Sequence, residues 1–215
     1  MSRPVRRAAL VLVATALTGA AACGSHPDAA PTPATAAAPG SAAGLTSAQV
    51  ERALLTVTDL PLGFQAQDSA PDASALGCAG VDQVYLPAGT AARAAVSFGH
   101  SLSAAFVNET ISNRPGGGAA TALAAFARAA RDCASFTGRD GTTYKIVPLK
   151  LPRYGDESAA VRVSSTLREA RPVELVAVRV GDTLMAVATA GAGAEEAQLT
   201  RTVLDRALAK LARSR

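Results

Sequence analysis

The chain reads as an α+β domain: an antiparallel sheet of about five to six strands with helices packed on one or both faces. Three observations carry this reading. Val161, Val163, Ser165 and Leu167 alternate with Arg162, Ser164, Thr166 and Arg168, the period of a half-buried strand. Two apolar runs, Val173 to Val180 and Thr183 to Thr189, are joined by Gly181-Asp182, a two-residue hairpin turn. Behind the Gly116-Gly117-Gly118 loop, Leu123, Phe126, Ala127, Ala130, Cys133 and Ala134 recur at helical spacing.

The N-terminus carries an address. Arg3, Arg6 and Arg7 precede an apolar stretch, Ala8 to Ala22, and small residues lead into Cys23. A basic region, an apolar region and a small-residue cleavage site make a secretory signal. With a cysteine at the cut, residues 1–22 read as a lipoprotein signal peptide, and Cys23 becomes the lipid-modified (palmitate-bearing) first residue of the mature chain. The alternative is ordinary cleavage after Ala20-x-Ala22, which leaves Cys23 a free thiol. The apolar stretch falls short of the about 20 residues that span a bilayer.

Composition narrows the partners. Of 21 basic residues three leave with the signal, so 18 remain against 17 acids. There is no run of Lys and Arg and no Trp, which argues against nucleic acid as a partner. Arginine and alanine are abundant, the bias of a GC-rich, actinobacterial genome. Residues 23–44 are rich in Ala and Pro, and Pro27, Pro31, Pro33 and Pro39 exclude a continuous helix. The segment reads as a flexible tether from Cys23 to a folded domain, with His26 solvated in it.

The domain, residues 45–215, opens with Thr46-Ser47-Ala48-Gln49, a capping box for a helix to about Leu55. A turn at Asp59–Gly63 leads to a strand from Phe64 to Gln67, and a short helix is placed around Cys78 to Val84. Ala94, Val96 and Phe98 alternate as a strand, and Gly99-His100 turns into another from about Leu102 to Ile111. The long helix closes at Gly138. Tyr144 to Val147 reads as a strand, and the chain ends in a helix with Leu199, Val203, Ala207, Leu208 and Leu211 on one side.

Cys78 and Cys133 are the cysteines left to the domain. Outside the cytoplasm such a pair reads as a disulfide. A redox pair favours Cys-x-x-Cys, and a zinc site needs more ligands than two cysteines and one domain histidine. No metal or cofactor is expected. No catalytic residue is assigned either: His100 falls in a predicted turn as a solvated side chain, and neither a Gly-x-Ser-x-Gly nor a His-Glu-x-x-His motif occurs. Gly116–Gly118 lacks the Lys-Ser/Thr of a phosphate loop and reads as a helix start. Asp156-Glu157 reads as a solvated turn, and the sequon Asn108-Glu109-Thr110 lies in a predicted strand.

Cys78-Ala79-Gly80-Val81 with Tyr85, alternating strands, an Ala-rich helix ending at Cys133, and two hairpin strands before a last helix form a further pattern. Together with Leu54-Leu55 and Asp59-Leu60-Pro61, it resembles the PknH-like extracellular sensor domain, found on a mycobacterial kinase and in many actinobacterial lipoproteins. The likeness spans most of residues 45–213. This chain departs from it in having Ala130-Arg131-Asp132 where a Trp often stands, and in lacking cysteines for a second disulfide. The resemblance implies a non-enzymatic domain with a ligand cleft, sought between the sheet and the helix at 119–136. Three functions follow in order: a membrane-anchored extracytoplasmic sensor-like module for a small ligand or envelope protein; a structural or lipid-carrier lipoprotein; and a hydrolase whose carboxylates converge in one cleft. The ligand-binding residues are not identified by the sequence.

Overall fold

Thr46 caps the first helix as its sequence requires. Its hydroxyl accepts the Gln49 N–H and its own N–H donates to Gln49 Oε1, starting α1 (Ser47–Ala53). Such a cap contributes about 1 kcal/mol. This computed structural model describes residues 44–68, 76–85, 89–167, 170–191 and 195–215. The expected signal, Cys23, His26 and the expected tether up to residue 43 lie outside them, as does Arg168.

After α1 the chain makes a 3₁₀ turn (Val57–Asp59), then β1 (Phe64–Ala66), α2 (Ala79–Tyr85), β2 (Ala92–His100) and β3 (Phe106–Asn113). The long helix α3 (Gly118–Asp132) follows, then β4 (Ser135–Thr137), β5 (Thr143–Pro148) and β6 (Glu157–Ser165). The hairpin β7 (Val173–Val180) and β8 (Thr183–Ala190) leads to α4 (Glu195–Arg213). The Gly181-Asp182 turn forms as read, with Val180 opposite Thr183.

All eight strands join one antiparallel sheet in the order β1-β2-β3-β8-β7-β6-β5-β4. The count exceeds the five to six expected because both edges, β1 and β4, are three-residue strands too short to show alternation. β4 also corrects the long helix. α3 stops at Asp132, Cys133 caps it, and Ser135–Thr137 pairs with β5, so Gly138 serves the β4–β5 turn. Leu123 and Phe126 are buried as expected, whereas Ala127 and Ala134, assigned to the same stripe, are exposed, and Ala119, Ala122 and Ala129 complete it. β3 begins at Phe106, leaving Leu102 in the turn.

Alternation sends successive side chains to opposite faces, and both faces are covered. Val107, Ile111, Val176, Val178, Met185 and Val187 meet Val50 and Ala53 of α1 and Val203, Leu204, Ala207 and Leu211 of α4. Val161, Val163, Leu175, Ala177, Leu184 and Ala186 meet Val81 and Val84 of α2 and Leu123 and Phe126 of α3. The result is three layers, helices on both sides of the sheet.

α2 is too short to stand alone and is held at each end. Asp82 accepts the N–H groups of Leu76 and Gly77, while Arg93 and Arg114 donate to the carbonyls of Tyr85 and Val84 at its C-terminus. A Cβ on Gly80 would lie 2.7 Å from the Ala125 carbonyl, so only glycine lets α2 lie this close to α3. Cys78 and Cys133 form the disulfide that locks this pair, with Cys78 fully buried. The bond closes a loop of 55 residues. Constraining a loop of that length contributes about 4 kcal/mol in the chain-entropy relation. The Cys78→Ala/Cys133→Ala variant is therefore expected to unfold at a lower urea concentration by that equivalent; an unchanged midpoint contradicts the assignment.

Candidate functional site

The sheet is open where β2 turns into β3. There the Ser101 N–H donates to the Gly63 carbonyl, tying the turn before β1 to the β2–β3 turn. His100 ends β2 half-buried, its Nδ1 accepting the Leu102 N–H at 3.2 Å. Its ring meets Phe64 edge-on, with centroids 5.3 Å apart. Gly63 has φ +95°, and a Cβ there would come 2.4 Å from His100 Nε2, so the imidazole lies directly over this glycine. The histidine expected to be solvated in a turn is instead packed into the structure, because β1 pairs Phe64 with it.

Residues 101–105 stand between two clefts. One, about 550 Å³, lies on the α4 side, with Pro61, Leu62, Phe64 and Leu199 as apolar wall and Gln198, Thr202, Ser103 and His100 as hydrogen-bonding groups. The other, about 420 Å³, lies on the opposite face and is lined by Gln67, Ser97, Phe106 and Asn108, sharing His100, Ser103 and Ala105 with the first. Among the described residues no Asp, Glu, Lys or Arg lines either cleft, so these walls give a charged molecule no counter-charge for the hydration it would lose. A third hollow, about 210 Å³, lies near the β7–β8 turn beside Gly44, Asp182 and Arg215. None of the three is lined by α3, whose buried stripe packs directly on the sheet. The two larger hollows among the described residues lie instead on either side of the β2–β3 turn.

Two carboxylates are wholly buried, away from these clefts. Glu109 takes an apolar register between Val107 and Ile111; its Oε2 accepts the Leu55 N–H at 2.6 Å, and its Oε1 is buried without a hydrogen bond. Burial pushes its carboxyl up to about 8, opposed by that N–H and by Lys210. Lys210 itself pairs with Asp59 at 2.9 Å. Glu174 sits opposite Arg162, which donates to Oε1 at 2.6 Å, while the Thr200 hydroxyl donates to Oε2 at 2.6 Å. Glu196, beside them, is raised by burial and then by the charge of Glu174. These groups tie α1 and α4 to the sheet.

The remaining sequence candidates resolve into structure. Asp156 accepts the Gly181 N–H at 2.7 Å and faces Arg179 at 3.4 Å, bracing the β7–β8 turn. Glu157 begins β6 rather than a solvated turn. Asn108 hydrogen-bonds Ser97 across β2 and β3. Gly117 takes the left-handed conformation at the start of α3, with no side-chain cap bond. Cys78 and Cys133 line none of the clefts. Among the described residues no group of three or more His, Cys, Asp or Glu could hold a metal, and no helix is long and apolar enough to cross a membrane. Sequence reading missed Glu109 and Glu174, although each interrupts an apolar alternation in phase. It also missed Leu62, Gln198 and Thr202, which had no local signature.

The fold recurs in the extracellular domain of PknH from Mycobacterium tuberculosis, with a TM-score of 0.59 at 14% identity, covering 79% of this chain and 98% of that one. No protein-family model and no curated protein matches the chain.

Glu109 makes stability depend on pH with a defined sign. From its ordinary 4.5 to about 8, the folded chain holds a proton that the unfolded chain has released. Its contribution to stability therefore falls as pH rises through that window. Glu109→Gln removes the effect, so the variant's stability relative to the parent should rise from pH 5 to pH 8, by on the order of a few kcal/mol. Parallel pH profiles in urea denaturation contradict this.

Proposed function

We propose that this chain is a membrane-tethered, extracytoplasmic binding module of the sensor-like class, lipid-anchored through Cys23, that takes an uncharged small ligand between the His100 hairpin and α4. The observation that carries the reading is the cleft of about 550 Å³ lined, among the described residues, by apolar and hydrogen-bonding side chains and by no Asp, Glu, Lys or Arg. Such a mixed lining suits a neutral molecule with one apolar and one hydrogen-bonding side. The fold shared with an extracellular domain supports the location, and the order of basic region, apolar stretch and Cys23 supports the anchor. The same lining supports a non-catalytic role, since among the described residues no carboxylate in it orients His100 toward Ser103. The open, half-polar cleft favours this reading over a lipid carrier, which needs an enclosed apolar cavity.

Two experiments test it. Leu199 is partly buried at the cleft wall, so Leu199→Trp should fill the site. In ligand-observed NMR with a library of neutral, anionic and cationic small molecules, saturable binders should be neutral and should weaken about tenfold or more in Leu199→Trp. Charged binders, or binders indifferent to the substitution, overturn the site. Cys23→Ala should move the protein from the membrane fraction to the soluble fraction; unchanged membrane association contradicts the anchor.

A further inference from the structure

The cleft of about 420 Å³, on the face of the sheet away from α4, presents side chains that the proposed ligand site does not use. Ser97 stands opposite Asn108 on β2 and β3, and Gly99 opposite Phe106, so these four residues share one face. Along β3 that face runs Phe106, Asn108, Thr110 and Ser112, whereas Val107 and Ile111 lie in the core on the other. Thr110 and Ser112 are buried, and the half-buried Phe106 and Asn108 line the cleft.

Two carboxamides meet in this cleft. Ser97, only 4% exposed, donates its hydroxyl proton to Asn108 Oδ1. That bond fixes the Asn108 amide and leaves its NH₂ group and the Ser97 lone pairs free of the described residues. Just past β1, the Gln67 N–H donates to the Ser97 carbonyl at 2.9 Å. A Cβ on Gly99 would collide with Gln67 Nε2, so the bare backbone at 99 is what lets the Gln67 carboxamide lie across β2. Exposed there, that carboxamide makes no hydrogen bond to a described residue.

Carboxamides donate and accept at once. A carboxylate only accepts and an ammonium only donates, so each would satisfy half of such a wall. Hydroxyls do both, and two on neighbouring carbons match the N–H and C=O edge of one carboxamide. Phe106 adds an aromatic ring, on which the C–H groups of a sugar ring pack. A peptide binds a sheet by adding a strand. Here β1 already occupies that edge, with Gln65 paired to Gly99 and Gln67 to Ser97, so recognition falls to side chains.

We propose that the Gln67–Asn108 cleft is a binding site for a neutral sugar, whose hydroxyls pair with the two carboxamides while its carbon face packs on Phe106. This site is additional to the cleft against α4, with which it shares only His100, Ser103 and Ala105. It rests neither on the anchor nor on the ligand proposed for that cleft.

Saturation-transfer NMR on the full chain tests this with glucose, galactose, mannose, N-acetylglucosamine and cellobiose. Glucuronate, glucosamine and a capped alanine dipeptide serve as charged and peptide controls. At least one neutral sugar should bind saturably and better than every control. Gln67→Ala removes one carboxamide and Gly99→Ala displaces it, and each should weaken that sugar about tenfold or more. Gln67 is exposed and the Gly99 contact is with the end of a flexible side chain, so both variants should keep their melting temperature. Should Gly99→Ala lower it, Gln67→Ala decides. Leu199→Trp, in the other cleft, should leave sugar binding unchanged, so the two sites are read separately. No saturable sugar, binding of the controls alone, undiminished binding in Gln67→Ala, or loss in Leu199→Trp overturns the proposal.

Discussion

The strand β8 constrains everything around it. Each of its residues, Thr183 to Ala190, is buried, and because side chains alternate, both faces of the sheet must be sealed at its centre. One helical layer cannot do that. α1 and α4 close one face and α2 and α3 the other. Open space remains toward the ends of the strands. There the two larger clefts form on either side of the β2–β3 turn. The position of the candidate site is thus a consequence of how the core is packed.

Polar groups inside this frame specify how the helices dock. Replacing Glu109 or Glu174 by an apolar residue of similar shape would leave the hydrophobic layers intact but remove what recognises the partners. Glu109 is matched to the Leu55 N–H just beyond α1, and Glu174 to Thr200 of α4 and Arg162 of β6. A shifted α4 would leave a buried carboxylate with fewer partners, which costs far more than a shifted apolar contact. The same α4 carries Gln198, Leu199 and Thr202 into the cleft, all within two residues of Thr200. Anchoring Thr200 to Glu174 therefore fixes the cleft wall as well as the helix.

Much of the fold is legible in the sequence because its long elements have a period. The Thr46–Gln49 box, the Gly181-Asp182 hairpin and the stripes of α3 and α4 report local geometry, and the structure builds them. β4 is not legible, since Ser135–Thr137 follows a helix with no breaker between them. Its strand state comes from pairing with β5, a tertiary effect. His100 shows the same limit in reverse. Gly99-His100 reads as a turn until β1 pairs across it and covers the ring. The candidate site is the least legible part, for a physical reason: Leu62, Ser103, Gln198 and Thr202 come from three separate stretches, and each alone is an ordinary side chain. The two buried glutamates were readable as charges in phase with Val107 and Ile111, or with Val176 and Val178.

The cleft at the His100 hairpin is the proposed place where this domain takes a ligand. Amide chemical-shift mapping during titration with a saturably bound small molecule tests that claim most directly. The largest shifts are expected at residues 62–64, 100–105 and 198–202, with α2 and α3 silent. Shifts concentrated in α2 and α3, on the disulfide-locked face, would contradict it.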